Sequence, residues 1–151
     1  MENKDSNYTI SIGNYISIFY RIGASYLSQK YQSYGIGYGQ YQFLITLYFE
    51  DGLSQDELTK RIAVDKATTA RAINKLKEVG YVTVKIDSID KRVHRVMLTE
   101  KALEIKKEIL QIATQWEKKL LTPLTDDDKE TVQLIFKKIA IANNWIPEHI
   151  D

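Results

Sequence analysis

The chain has no cysteine among its 151 residues, and it has only two prolines and two histidines. Without cysteine there can be no disulfide, no cysteine-ligated zinc, no iron–sulfur cluster and no thiol redox switch. The most apolar short run, FLITLYF, is much shorter than the roughly 20 residues that span a bilayer. The start of the chain, MENKDSNYT, carries no apolar leader. We therefore expect a cytoplasmic protein without a membrane partner.

The scarcity of histidine also argues against an enzyme. His94 lies in a predicted strand and His149 in the tail, and no nucleophile–base pair, glycine-rich phosphate loop or pair of metal ligands accompanies them. We expect no catalytic residue, no cofactor and no metal, although a metal-sensing role for His94 with acidic neighbours stays open. The composition, 44% apolar and 27% charged, is that of a globular protein. The length suits a single domain over residues 1–151.

The net charge of +1 hides an uneven distribution. Residues 60–95 contain ten basic and four acidic side chains, a net charge of +6, whereas the rest of the chain carries −5. A basic segment in an otherwise acidic chain indicates a local surface for a polyanion.

Apolar periodicity predicts helices over residues 8–32 and 40–50, separated by the glycine-rich run GIGYG. The motif SQDE that follows is typical of a capping box and opens a third helix. Asp65 is a good N-cap for a fourth helix over residues 66–79. Two short helices joined by a three-residue turn predict a helix-turn-helix.

Alternating apolar residues then predict two strands, which begin at Val82 and Val93 and enclose the polar tip DSIDKR. A long helix is expected from Thr99 to Leu121, and a last helix from Thr125 to Pro147. The predicted fold class is mainly α with a small β-hairpin wing (α+β): a winged helix-turn-helix flanked by N- and C-terminal dimerisation helices.

The helix over residues 66–79 presents a polar arc opposite its apolar one. Arg71 suits a bidentate contact to guanine, Thr68 a base or a phosphate, and either alanine a thymine methyl, while the two lysines suit phosphates. The alternative is a solvated helix face. The predicted DNA contacts of this helix are Lys66, Ala67, Thr68, Ala70, Arg71, Asn74 and Lys75.

The tip of the hairpin holds the second group of candidates. Arg92 suits insertion into a narrow A·T-rich minor groove, where the negative potential is concentrated. Asp90 would hold that arginine in place; the alternative is an ordinary surface ion pair of little energy. The predicted wing contacts are Asp90, Lys91, Arg92 and Arg95.

Three motifs around the hairpin resemble those of one family. GYV at residues 80–82, DKR at 90–92 and VMLT at 96–99 are similar to the Gly-Leu-Ile, Asp-Arg-Arg and Val-x-Leu-Thr signature of the MarR family of winged-helix transcriptional regulators. The resemblance extends in order over residues 8–143. It implies a major-groove recognition helix, a minor-groove arginine braced by the preceding aspartate, and a two-fold dimer formed by the first and last helices.

Other positions match or depart from the same pattern. Ile36 and Gln40 are similar to the opening of the family's second helix. Gly37 replaces the usual capping threonine, Val84 the usual arginine and Lys91 the middle arginine of the wing. The change at Val84 removes an expected phosphate contact.

The closing helix is apolar on more than one face, which favours burial against a second copy of the chain. Residues 38–98 are the expected DNA-binding lobe, and residues 8–34 and 99–146 the expected helical dimerisation region. The alternative is packing within the monomer. The predicted dimer contacts are Ile12, Ile16, Phe136, Ile139, Trp145 and Ile146.

Nine of the ten tyrosines lie between Tyr8 and Tyr48, and Arg21 is the only charged residue between Asp5 and Lys30. A lone cation among aromatic rings suits a small anionic aromatic effector, a class of ligand that the resemblance also implies. Ordinary interface tyrosines are the alternative. The predicted pocket residues are Arg21, Tyr20, Tyr41 and Tyr48.

Taken together, the sequence predicts a homodimeric regulator that binds double-stranded DNA at a pseudo-palindromic operator and responds to a ligand as a repressor. Its half-sites should lie about one helical turn apart, roughly 34 Å. The rival hypothesis is a winged-helix module that binds another protein and not DNA.

Overall fold

The structure, a computed structural model, describes residues 10–146. Over this range the chain is mainly helical with one small hairpin, which confirms the predicted fold class. Residue 8 of the first predicted helix, Pro147 and His149 lie outside the described residues. The elements are α1 Ile12–Tyr31, a 3-10 turn Gln32–Tyr34, α2 Tyr38–Phe49, α3 Gln55–Ile62, α4 Lys66–Glu78, β1 Val82–Ile86, β2 His94–Leu98, α5 Glu100–Glu104, α6 Lys106–Leu121 and α7 Asp126–Ala142.

The predicted starts of the helix-turn-helix are confirmed by their hydrogen bonds. The Glu57 N–H donates to Ser54 Oγ at 3.2 Å, and the Ser54 N–H donates to the Glu57 carboxylate at 2.7 Å. The Thr68 N–H donates to Asp65 Oδ1 at 2.7 Å at the start of α4. Ala63, in the turn between the two helices, adopts a left-handed conformation with φ of 56°.

The second helix begins at Tyr38, two residues earlier than predicted, inside the glycine-rich run. Gly37 has no side chain to cap the helix. Instead, the Gly37 N–H donates to the Gln40 side chain at 3.0 Å, and the Tyr38 N–H donates to the Ser28 hydroxyl at 3.1 Å. A hydroxyl from α1 therefore satisfies a helix end that local sequence leaves uncapped.

The prediction of one continuous helix over residues 99–121 is wrong. The chain leaves the helical conformation at Ile105, whose ψ is 1°, so that α5 and α6 are separate helices. In a continuous helix the Ala102 carbonyl would accept from the Lys106 N–H. Here it accepts from the Tyr48 hydroxyl at 2.6 Å, and the Lys106 ammonium donates to the Tyr48 carbonyl at 3.1 Å. Two bonds to α2 thus take the place of a helical turn.

A single core forms where α2 and α4 meet α1, α6 and the root of the hairpin. The Tyr31 hydroxyl donates to the Ile109 carbonyl at 3.0 Å inside it. The predicted apolar arc of α4 faces this core, with Thr69, Ala72, Ile73 and Leu76 buried. Within residues 10–146, no helix has the length and apolar character needed to cross a bilayer.

The two strands pair antiparallel, from Val82 opposite Leu98 to Ile86 opposite His94. The turn between α2 and α3 adds to this sheet on its other side. The Val96 N–H donates to the Leu53 carbonyl at 2.9 Å, and the Gly52 N–H donates to the Val96 carbonyl at 3.1 Å. The hairpin is therefore joined through its backbone to the helix-turn-helix.

The packing of α1 against α6 depends on a glycine. A Cβ added at Gly23 would lie 2.9 Å from Trp116 Cζ2, whose ring also packs on Tyr26 at 5.3 Å. In contrast, a Cβ added at Gly39 in α2 meets nothing within 4 Å.

We expect Gly23→Ala to destabilise the protein and Gly39→Ala to stabilise it, as measured by urea unfolding. Overpacking at Trp116 costs about 1–3 kcal/mol, which exceeds the roughly 0.5–1 kcal/mol that alanine gains over glycine in a helix. Only that gain applies at Gly39. Stabilisation of both variants would contradict the close approach of α1 and α6.

Candidate nucleic-acid interface

The polar arc of α4 lies on the side of the helix that faces away from the core. Arg71, Asn74 and Lys75 are exposed, whereas Thr68 and Ala70 are partly buried by neighbouring side chains. The structure thus brings the predicted residues of this helix together on one accessible surface. They are Lys66, Ala67, Thr68, Ala70, Arg71, Asn74 and Lys75.

The first two turns of α4 contain a chain of hydrogen bonds that the sequence analysis missed. Arg71 Nη2 donates to Thr68 Oγ1 at 3.0 Å, and that hydroxyl donates to Asp65 Oδ2 at 2.8 Å. The bond from the Thr68 N–H, followed by that from the Thr68 hydroxyl, lowers the pKa of Asp65. The spacing of three residues between successive members is the signal that could have revealed the chain, because residues i and i+3 are neighbours on a helix.

The two lysines at this surface have acidic neighbours. The Lys66 ammonium lies 3.1 Å from Asp56, and the Lys75 ammonium lies 3.5 Å from Glu78. All four side chains are largely exposed. Such pairs are weak and screened by salt, so they leave the ammonium groups available to phosphates.

At the wing, the predicted pairing of Asp90 with Arg92 is present. Arg92 Nε donates to Asp90 Oδ1 at 3.1 Å, and Nη2 donates to Oδ2 at 3.2 Å. These bonds and the Arg92 N–H lower the pKa of Asp90. The Arg92 side chain is 91% exposed, and Lys91 beside it is exposed as well. A guanidinium is therefore oriented at the tip of the hairpin and remains open to solvent.

Arg95 is placed differently from the other wing candidates. Its Nε donates to Asp87, its Nη1 donates to the Gly52 carbonyl at 3.1 Å, and Glu57 lies 3.8 Å away. Asp87 also accepts the N–H groups of two residues at the tip. The bond from Arg95, followed by these N–H bonds, lowers the pKa of Asp87 to about 2. The arginine thus joins the wing tip to the turn between α2 and α3.

All four predicted effector residues lie on α1 or α2, and three of them are exposed or partly exposed. Tyr20 contacts Tyr38 edge-on at 5.2 Å, and Tyr38 contacts Tyr41 at 5.2 Å, so Tyr38 joins two predicted rings. Burial, followed by the neighbouring phenols, raises the pKa of Tyr38 to about 12. Arg21 is exposed beside Tyr20 on α1. Tyr48 is a buried core ring whose hydroxyl is bonded to the Ala102 carbonyl.

The predicted dimer contacts leave much apolar surface uncovered in the single chain. Ile12 is 76% exposed and Trp145 66% exposed. Between α6 and α7 there is an open groove of about 560 Å³, whose lining includes Phe136 and Ile146. The described residues therefore expose apolar side chains on α1, on α7 and in the short segment after α7. The six predicted residues, all exposed or partly exposed, are Ile12, Ile16, Phe136, Ile139, Trp145 and Ile146.

A helix-turn-helix with a polar, basic second helix, followed directly by a hairpin with an exposed arginine at its tip, defines a winged helix-turn-helix. Known proteins agree with this class. A profile of the MarR family matches residues 34–92, from the turn after α1 to the wing arginine.

Solved structures extend the similarity to most of the chain. A MarR transcriptional regulator from Methanosarcina mazei Go1 is 40% identical, with 88% of this chain and 95% of that one covered and a TM-score of 0.82. A MarR protein from Peptoclostridium difficile DA00132 is 30% identical, with 96% of this chain and 95% of that one covered and a TM-score of 0.84.

A relative compared by sequence alone belongs to the same class. The uncharacterised HTH-type transcriptional regulator YybA of Bacillus subtilis is 28% identical over 109 residues, which is 71% of this chain and 73% of YybA.

The chain belongs to the MarR family of winged-helix transcriptional regulators. The resemblance carried by the GYV, DKR and VMLT motifs is thereby confirmed. The expectation that the chain is not an enzyme is confirmed as well, because these relatives are regulators of transcription.

Proposed function

We propose that this chain is a cytoplasmic repressor that binds a pseudo-palindromic operator in double-stranded DNA as a homodimer. In this proposal α4 enters the major groove and the wing reaches the adjacent minor groove. A dimer that covers promoter DNA blocks the polymerase without further machinery. The observation that carries the proposal is that Arg71 on α4 and Arg92 at the tip of the hairpin are both exposed, while the hairpin is bonded to the turn before α3. Residues 38–98 are the proposed DNA-binding lobe.

Hydrogen bonds connect the wing to the helix-turn-helix within this lobe. The root of the hairpin is held by the backbone pairing of Val96 with the turn at Gly52. The tip is held by Arg95, which is bonded both to Asp87 and to that turn. The hairpin that carries Arg92 is therefore bonded to the helix-turn-helix that contains α4. This connection suits a protein whose helix and wing contact neighbouring grooves of the same duplex.

The side chains on α4 have the chemistry for reading a major groove. Arg71 suits guanine, Asn74 suits adenine and the two small alanines suit a thymine methyl. Lys66 and Lys75 suit phosphates, which position the protein without reading sequence. The net charge of +6 over residues 60–95 supplies the attraction to the DNA backbone.

Affinity selection from a random duplex DNA library, run with wild type and Arg92→Ala, tests this function. We expect wild type to enrich an inverted repeat with half-sites about one helical turn apart and with A·T-rich flanks. In Arg92→Ala the preference for A·T at the flanks should weaken. Lys118→Ala, at an exposed position near the end of α6, should enrich the wild-type sequence. Wild-type affinity should fall linearly with the logarithm of salt concentration.

No enrichment by any of the three proteins at low salt would overturn the proposal. A winged-helix module that binds another protein would then be the better hypothesis.

The homodimer is supported by the apolar side chains that α1 and α7 expose. Phe136 on α7 is 51% exposed and Ile12 at the start of α1 is 76% exposed. A second copy of the chain that covers them would also cover the groove between α6 and α7. Residues 8–34 and 99–146 are the proposed dimerisation region.

We expect Phe136→Glu to convert the dimer to a monomer, because a carboxylate would be buried without a partner in the interface. Phe49→Glu is the matched control: Phe49 is 80% exposed but ends α2, outside that region. Sedimentation equilibrium should give a dimer for wild type and for Phe49→Glu. A monomeric wild type, or a dimer in Phe136→Glu, would contradict the assignment.

We further propose that a small anionic aromatic effector weakens DNA binding. Its support is the cluster of Tyr20, Tyr38 and Tyr41 with the exposed Arg21 nearby on α1. Tyr48 contributes to the core beneath this region and, because of its burial, is not a surface of the proposed pocket.

Benzoate tests the effector proposal, and benzamide is its uncharged control. We expect benzoate to lower the affinity of wild type for the selected DNA, benzamide to have no effect, and Arg21→Gln to lose the response to benzoate. An equal response to both compounds, or none to benzoate, would overturn this part of the proposal.

A further inference from the structure

We propose that Asp65 and Thr68 are positioning residues that hold Arg71 for base recognition, so that Thr68 acts on DNA through Arg71 and not by a contact of its own. The inference rests on the proposed function of DNA binding. It assigns to Asp65 a role beyond helix capping.

The direction of each hydrogen bond follows from the groups involved. An ionised carboxylate only accepts and a guanidinium only donates. The single hydroxyl hydrogen of Thr68 is therefore given to Asp65 at 2.8 Å, and its oxygen accepts from Arg71 Nη2 at 3.0 Å. In this arrangement the hydroxyl has no hydrogen left for a base or a phosphate.

Asp65, at the start of this chain of hydrogen bonds, is itself held in place by several bonds. Both of its carboxylate oxygens are used, Oδ1 by the Thr68 N–H at 2.7 Å and Oδ2 by the Thr68 hydroxyl. Its own carbonyl accepts the Thr69 N–H at 3.0 Å, and the buried Thr69 hydroxyl is bonded to that of Thr59 on α3 at 2.7 Å. The start of α4 is thus fixed to α3 before any ligand arrives.

Arg71 gains orientation and keeps its capacity to read a base. A guanidinium has five N–H donors, and Thr68 accepts one of them, so enough remain for two bonds to guanine. A bidentate contact requires the guanidinium plane to be oriented. Fixing that plane in the free protein reduces the conformational entropy that binding would otherwise cost.

A double-mutant cycle on the selected operator separates positioning from direct contact. The variants are Thr68→Val, Arg71→Ala and the double variant, with Thr68→Ser as the control that keeps the hydroxyl. We expect Thr68→Val to lower affinity about 2- to 10-fold, the cost of ordering one long side chain anew. In the Arg71→Ala background the same change should have no further effect, and Thr68→Ser should bind like wild type.

Sequence preference gives a second readout that a merely structural role would not alter. Thr68→Val should relax the preference only at the base pair where Arg71→Ala also relaxes it. Asp65→Asn, which keeps an oxygen for the cap but removes the charge, should relax the same position. Circular dichroism and urea unfolding identify any variant that fails to fold. If Thr68→Val fails to fold, Asp65→Asn tests the same chain of hydrogen bonds, with Thr68→Ser as the control.

Equal losses from Thr68→Val in both backgrounds would show that Thr68 contacts DNA directly and would overturn the inference alone. Wild-type affinity in Thr68→Val would overturn it as well. A wild type that binds no DNA would instead overturn the proposed function, and this inference with it.

Discussion

The backbone pairing of Val96 with Gly52 and Leu53 is the constraint on which the arrangement of the surface depends. A two-stranded hairpin alone is marginally stable and has no fixed direction relative to its neighbours. Here the turn between α2 and α3 bonds to the second strand, so the orientation of the hairpin is set by the helix-turn-helix. The positions of Arg92 and α4 relative to each other follow from this junction.

Features encoded by neighbouring residues were predictable, and features that depend on distant partners were not. The capping box at Ser54 and the N-cap at Asp65 each involve residues three apart, and both appear in the sequence. The break at Ile105 does not, because apolar periodicity continues across it and its cause, the Tyr48 hydroxyl, lies 54 positions from Ala102.

The candidate site shows the same division. Because Asp90 and Arg92 are two residues apart, their pairing could be predicted. The bond of Arg95 to the Gly52 carbonyl spans 43 positions and could not. Of the four acids in the basic segment, Asp87 and Asp90 bond to arginines directly and Asp65 does so through Thr68. Acids that lower the net charge therefore also orient the cations that remain.

The break at Ile105 places one residue of α2, Tyr48, between two helices. Its hydroxyl is bonded to the Ala102 carbonyl of α5, and its carbonyl is bonded to the Lys106 ammonium of α6. A displacement of α5 or α6 along α2 would therefore separate a bonded pair, and an unpaired polar group in a buried place is unfavourable. The register of α6 is thus coupled to that of α2, the helix that leads directly into the helix-turn-helix.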